Sequence, residues 1–261
     1  MRLATPPRRI VSLVPSTTET LFALGLGDRV VGVTRFCVHP AEALRGLPRV
    51  GGTKDLDLDR LDALHPDLVI GNAEENTREI FDAVEARCPL YVAFPRTVDE
   101  ALDDLSTTGR LVGASAQAEA LRSTIEARRA ALAARVAGRR FTYAYLIWRG
   151  PWMAVSGDTF IAAMLAEAGG VNAFAERQPR YFTLAPAELV GVDRVLLSSE
   201  PFPFKPRHAA ELAEAGVDPG RVAFVDGELC SWHGARMARA FPYLGTLTPP
   251  PPAGSGPPPG P

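Results

Sequence analysis

Four residues of this 261-residue chain have the chemistry of soft metal ligands. Cys37-Val38-His39 and Cys230-Ser231-Trp232-His233 each set a thiol and an imidazole a few residues apart. Each pair follows a run with strand character, Val30 to Val33 and Val222 to Val225. If the two loops meet, Cys37, His39, Cys230 and His233 make a zinc-type donor set with Glu228 nearby. Neither spacing is a signature by itself, and a free cysteine is most often a small buried hydrophobe. A second polar group lies in Pro15-Ser16-Thr17-Thr18-Glu19, where a strand gives way to a helix. A helix N-terminus can cradle an anion, but this loop lacks the glycines of a phosphate-binding loop. Ser16 reads as an N-cap, with Glu19 three residues on to complete a capping box. Thr17 and Thr18 remain as candidate cleft groups.

No catalytic set emerges. The chain has no G-x-S-x-G elbow, no H-E-x-x-H and no P-loop. Asp226 and Glu228 form a carboxylate pair, yet nothing supplies a nucleophile or a base beside them. The reading is therefore of a binding protein and not an enzyme, with no intrinsic cofactor. The aromatic residues support binding. Trp148 and Trp152 in "WRGPWM", Tyr181 and Phe182 in "PRYF", Phe202 and Phe204 in "PFPF", and Trp232 are expected in loops beyond strands. Rings at strand ends suit a flat apolar ligand.

The elements that must carry these residues follow from periodicity. Strands are expected at Ile10 to Val14, Val30 to Val33, Asp67 to Ile70, Leu90 to Ala93, Phe141 to Trp148, Val195 to Ser198 and Val222 to Val225. Helices are expected at Thr17 to Leu26, Leu58 to Leu64, Glu75 to Arg87, Thr159 to Ala168, Pro206 to Ala215 and Ala235 to Leu244. Such alternation argues for parallel sheets with helices on their faces. Val98 to Ala137 has no strand signal, and its Ala-rich end predicts one helix of ~35 Å, stopped by Gly138. "LDALHPDLVIG" and "AELVGVDRVLLS" share a plan, in which a short helix runs into an Asp that opens a buried strand. This echo suggests two similar lobes.

Hydrophobic residues make up 46% of the chain, enough for a sizeable core. The net charge of -2 offers no basic face for nucleic acid. Three cysteines do not make a disulfide framework. No apolar run reaches the ~20 residues of a membrane span. The start, with Arg8 and Arg9 ahead of a short apolar run broken by Pro15, does not read as a secretory leader. Localisation is left open on this ground. The tail "TPPPPAGSGPPPGP" reads as polyproline-like or disordered.

"RRIVSLVPSTTETLFALGLGDRVVGVTRFCVHP", "VGGTKDLDLDRLDALHPDLVIGNAEEN" and "SGDTFIAAMLAEAGGVNAF", in that order, resemble substrate-binding proteins of ABC importers for cobalamin and iron-siderophores. The resemblance runs from about Arg9 to Leu247. It implies two α/β lobes joined by one long backbone helix, with the ligand cleft between them. The bounds are 1–112 for the first lobe, 113–138 for the helix, 139–248 for the second lobe and 249–261 for the tail. It further implies a protein that binds a corrinoid or similar metal chelate and delivers it to a permease, and a monomer is expected. Ser16, Thr17, Arg35, Phe36, Cys37, Trp148, Trp152, Tyr181, Trp232 and Arg236 become the expected ligand contacts. Glu74 or Glu75 on the first lobe and Glu188 on the second become the carboxylates that dock on permease arginines. Relatives that bind cobalamin carry a Trp where this chain has Asn72-Ala73. Two alternatives stand beside this reading. One is a transition-metal-ion binding protein of the same fold, using Cys37, His39, Cys230 and His233. The other is a cytosolic carrier or enzyme that reuses the fold without a transporter.

Overall fold

The computed structural model describes residues 3–249, so most of the Pro/Gly tail lies outside the described residues. The chain divides into two compact units. One runs to Ala127 and also takes Trp232–Arg239; the other takes Arg128–Ser231 and the chain from Ala240 on. Each is an α/β unit with parallel pairing at its centre. Among the described residues no helix is long and apolar enough to cross a membrane.

In the first unit β1 (Ile10–Ser12), β2 (Val30–Val33), β3 (Leu68–Asn72) and β4 (Leu90–Ala93) form a parallel sheet of order β2-β1-β3-β4. β1 and β3 are buried along their whole length, which is why they are continuous apolar runs and not alternating ones. Between them come α1 (Pro15–Ala23), α2 (Leu58–Ala63) and α3 (Arg78–Glu85), then α4 (Val98–Val112) and α5 (Ser115–Val136). Val11, Leu13 and Val69 of the sheet region pack on Leu61 of α2 and Ile80 and Val84 of α3. From β1 the chain moves first to β2 on one side and then to β3 on the other. The crevice beyond the carboxyl ends of β1 and β3 is thus a topological switch point, where open α/β sheets bind ligands.

The second unit holds β5 (Phe141–Trp148), β6 (Met153–Val155), α6 (Phe160–Glu167), β7 (Gly170–Asn172), β8 (Tyr181–Thr183), β9 (Arg194–Ser198), α7 (Pro206–Glu214), β10 (Val222–Val225), α8 (Gly227–Ser231) and α9 (Met237–Leu247). The strand order is β10-β9-β5-β6-β8, with β7 on the first part of β5. α5 starts in the first unit and ends in the second, and α9 starts in the returning segment of the first unit.

The sequence echo has a physical basis. Asp67 accepts the backbone N–H groups of Arg8 at 2.7 Å and Arg9 at 2.8 Å, just ahead of β1. Asp193 accepts the N–H of Thr142 at 2.8 Å, at the start of β5. Each aspartate, placed before one inner strand, ties down the beginning of its parallel neighbour. Those bonds hold the Asp193 carboxyl below the usual range, because they favour the ionised form.

Three expectations need correction. Ser16 is not a cap: Val14 is the N-cap of α1 and Pro15 takes the first helical position, which suits its fixed φ and missing N–H. The helix expected from Glu75 starts at Arg78, where Thr77 accepts the N–H of Ile80. Trp148, Tyr181 and Phe182 are not in loops but in β5 and β8, whereas Trp152 does lie in the turn between β5 and β6.

Gly109 lets α4 approach α5. A Cβ there would lie 2.3 Å from Cβ of Ala118, which is buried. Gly109→Ala gains about 1 kcal/mol of helix propensity but overpacks this crossing, at a cost of about 1–3 kcal/mol. We expect a lower urea midpoint with an unchanged slope. A midpoint raised by the helix-propensity term alone would show that the crossing is loose.

Candidate functional site

In the first unit the switch point is filled by the chain's own return. His233 Nε2 is 3.2 Å from Ser16 Oγ, at the start of α1, and 3.1 Å from Asn72 Nδ2, at the end of β3. Asn72 Oδ1 accepts the N–H of Glu74 at 2.7 Å, which turns the amide nitrogen toward the imidazole. Nε2 therefore accepts, and the neutral ring carries its proton on Nδ1, 3.9 Å from Asp104 Oδ2. Asp104 also accepts the Tyr91 hydroxyl at 2.6 Å. Burial pushes the His233 pKa down, with Asp104 pulling the other way.

An ion pair fixes the same segment. Arg236, 3% exposed, donates from Nε to Glu19 Oε2 at 2.7 Å, and its guanidinium lies 4.7 Å from the centroid of Trp232. The N–H of Ala235 reaches Thr20 Oγ1 at 3.0 Å. Gly234, at φ +75°, comes so close to Thr20 that a Cβ would sit 2.2 Å from that hydroxyl. Only glycine meets both demands cheaply.

Cys37 is fully buried, in contact with Thr18 Oγ1 at 3.1 Å and Thr34 Oγ1 at 3.2 Å. Burial raises its thiol pKa, with the threonine hydroxyls opposing. Arg49 donates to the carbonyls of Thr34 at 3.0 Å and Cys37 at 2.8 Å, which sets the loop after β2. That loop presents Phe36, 49% exposed, with the guanidinium of Arg35 5.0 Å from its ring. Arg35 is paired with Asp55 at 2.8 Å. His39 is half-buried and edge-on to Trp232 at 5.8 Å.

In the second unit an aromatic block stands at the carboxyl ends of β5 and β9. Trp148, 41% exposed, meets Phe202 at 5.4 Å; Phe202 meets Phe204 at 4.9 Å; Phe204 stacks on Trp152 at 5.8 Å. Trp152 is 6% exposed and belongs to the core with Phe182 and Leu184, so it is a support for this surface and not part of it. Tyr181 is half-buried on β8, with Arg180 6.0 Å from its ring. Cys230 is fully buried beside Tyr145, and burial pushes its thiol up to about 12.

These positions count against the expected donor set. Two of its four members, Cys37 and Cys230, are buried in the core, and His233 is engaged by Asn72 and Ser16. Among the described residues no group of three or more His, Cys, Asp or Glu could hold a metal ion. The Asp226–Glu228 pair is also explained, since Asp226 Oδ1 accepts the N–H of Leu229 at 3.0 Å and so caps α8. Ser16, Thr17, Cys37, Trp152, Trp232 and Arg236, expected to touch a ligand, are all buried. Arg35, Phe36 and Trp148 are exposed.

A sequence model described as periplasmic binding protein matches residues 10–190. The chain belongs to that family. This binding protein is 26% identical over 206 residues to the vitamin B12-binding protein of Vibrio parahaemolyticus, across 78% of this chain and 72% of the relative. It is 28% identical over 210 residues to the vitamin B12-binding protein of Vibrio cholerae, with the same coverage. Among solved structures, the apo form of the periplasmic heme-binding protein RhuT from Roseiflexus sp. RS-1 matches with a TM-score of 0.79 at 26% identity. That match covers 92% of this chain and 96% of the other. The periplasmic vitamin B12 binding protein of Vibrio cholerae matches in fold, with a TM-score of 0.77 at 22% identity and the same coverage.

For this binding protein the expected docking carboxylates are on the surface. Glu74 and Glu75 are exposed beyond β3. Glu188 is exposed as well, but it accepts the N–H of Ala185 at 2.8 Å and is paired with Arg177. Sequence reasoning missed Asn72, Asp104 and Arg49.

Arg236→Ala leaves Glu19 without its buried partner and Trp232 without its cation. We expect a loss of about 3–5 kcal/mol in chemical denaturation. A loss below about 1 kcal/mol would mean that the pair behaves like a solvated surface bridge.

Proposed function

We propose that this chain binds a corrinoid or a related metal chelate, haem included, and passes it to an ABC importer. What supports the reading most is the likeness, over 78% of the chain, to proteins named for vitamin B12 binding. The surface chemistry agrees with it. Trp148 is an exposed indole on a packed aromatic base, and Phe36 is an exposed ring backed by a guanidinium. A large flat macrocycle gains most from rings that lose little entropy on contact. Binding does the work in this reading, and no bond of the ligand is made or broken.

Trp148 is the proposed contact of the second unit; Phe36 is the exposed ring of the first. The bare-ion alternative loses ground, because Cys37 and Cys230 are buried in the core and, among the described residues, no group of three or more His, Cys, Asp or Glu could hold a metal ion. Glu74 and Glu75 are the proposed permease contacts, as rim charges that steer association more than they add affinity. Glu188 would have to exchange Arg177 for a permease arginine, so its contribution is the smaller.

Absorbance and calorimetric titrations with cyanocobalamin, haem and a ferric hydroxamate test the proposal. At least one chelate should bind, and Trp148→Ala should weaken it about tenfold, the size of a single aromatic anchor. Binding of free zinc with no chelate bound would defeat this reading.

A further inference from the structure

The block that carries Trp148 rests on a buried histidine. His208 is 3% exposed and lies between Phe202, at 5.2 Å, and Phe204, at 5.6 Å. It is the third residue of α7, and its Nδ1 accepts the N–H of Lys205, the N-cap residue, at 2.9 Å. An imidazole thus stands where a capping box has Glu or Gln. Arg207 Nε lies 3.2 Å from the other ring nitrogen. With Nδ1 accepting from Lys205, the neutral ring carries its proton on Nε2; the imidazolium would carry one on Nδ1 as well, and the Lys205 bond would be lost. The neutral ring therefore closes the turn from Phe202 to α7, and Phe202 is the ring on which Trp148 leans.

We propose that His208 is a positioning residue for Trp148: its neutral imidazole holds the Phe202–Phe204 turn on α7, and protonation releases that turn and the indole it supports. The consequence for chelate binding rests on the function proposed above; the coupling of His208 to Trp148 does not. The charged surroundings favour the neutral ring. Arg207 and Lys205 on its own segment and Arg149 beyond β5 oppose a further positive charge, and Glu211 alone favours it. Glu211 is itself paired with Arg149 at 2.6 Å. Burial is the largest cause and also disfavours the cation. The folded-state pKa is below the ordinary value of about 6.5, so the stabilisation is present above that pH and is lost as pH falls through the folded value.

The coupling is read in the free protein, as the difference in tryptophan emission between the wild type and Trp148→Phe from about pH 8 to about pH 5. The Trp148 signal should change below about pH 6.5 while far-ultraviolet circular dichroism stays constant. His208→Gln keeps an acceptor for the Lys205 N–H and cannot titrate, so the change should vanish. His208→Ala should show the low-pH signal already at neutral pH. A Trp148 transition that persists in His208→Gln, or none in the wild type, would overturn the proposal. With cyanocobalamin or haem as probe, wild-type affinity should fall about fivefold or more across this range, and that of His208→Gln less than about twofold. If neither probe nor the ferric hydroxamate binds at any pH, the proposed function falls and the emission result still decides the role of His208.

Discussion

Arg236 and Glu19 are 217 positions apart and form a charge pair with the arginine almost wholly out of water. Taking a guanidinium out of water is costly, and only a well-placed partner offsets that cost. The pair therefore selects one placement of the segment Trp232–Arg239 on α1. Around it the other bonds become available: Ala235 to Thr20, His233 to Ser16 and Asn72, and the indole of Trp232 to the guanidinium and to His39. The first unit is built from two distant pieces of sequence, and this interaction defines how they join.

The two units solve the same problem differently. Each places chemistry beyond the carboxyl ends of parallel strands, where helix starts and loops gather. In the first unit that place is a polar plug made by the chain itself, with a neutral imidazole at its centre. The groups left exposed are those of the loop after β2, held by Arg49. In the second unit the place is apolar, a run of rings from Trp152 through Phe204 and Phe202 to Trp148. The thiols that looked like ligands serve neither surface. Each is buried against hydroxyl groups and acts as a small packed side chain.

Much of the fold was legible. β2, β4, β5 and β10 match their expected bounds, because each is an apolar run of at least four residues between turn signals. Asp67 and Asp193 stood out as an echo, and the structure gives them one task. β6, β7 and β8 went unread because each has three residues, too few to show a period. Ser16 was misplaced since a proline ahead of it competes for the start of the helix, and the proline wins. The site was less legible than the fold. Exposed Phe36 and Trp148 could be named from type and context. The plug could not, because His233 meets Ser16 and Asn72 across 217 and 161 positions, and no local pattern encodes such a meeting.

The central claim is that Trp232–Arg239 is part of the first unit in stability as well as in space. Native-state hydrogen exchange measures this directly, since amides of one cooperative unit open with one free energy. The account predicts that the amides of Ala235 to Arg239 open together with those of β1 and α1. Exchange of these amides in step with the rest of α9, from Ala240 onward, while β1 stays protected, would contradict it.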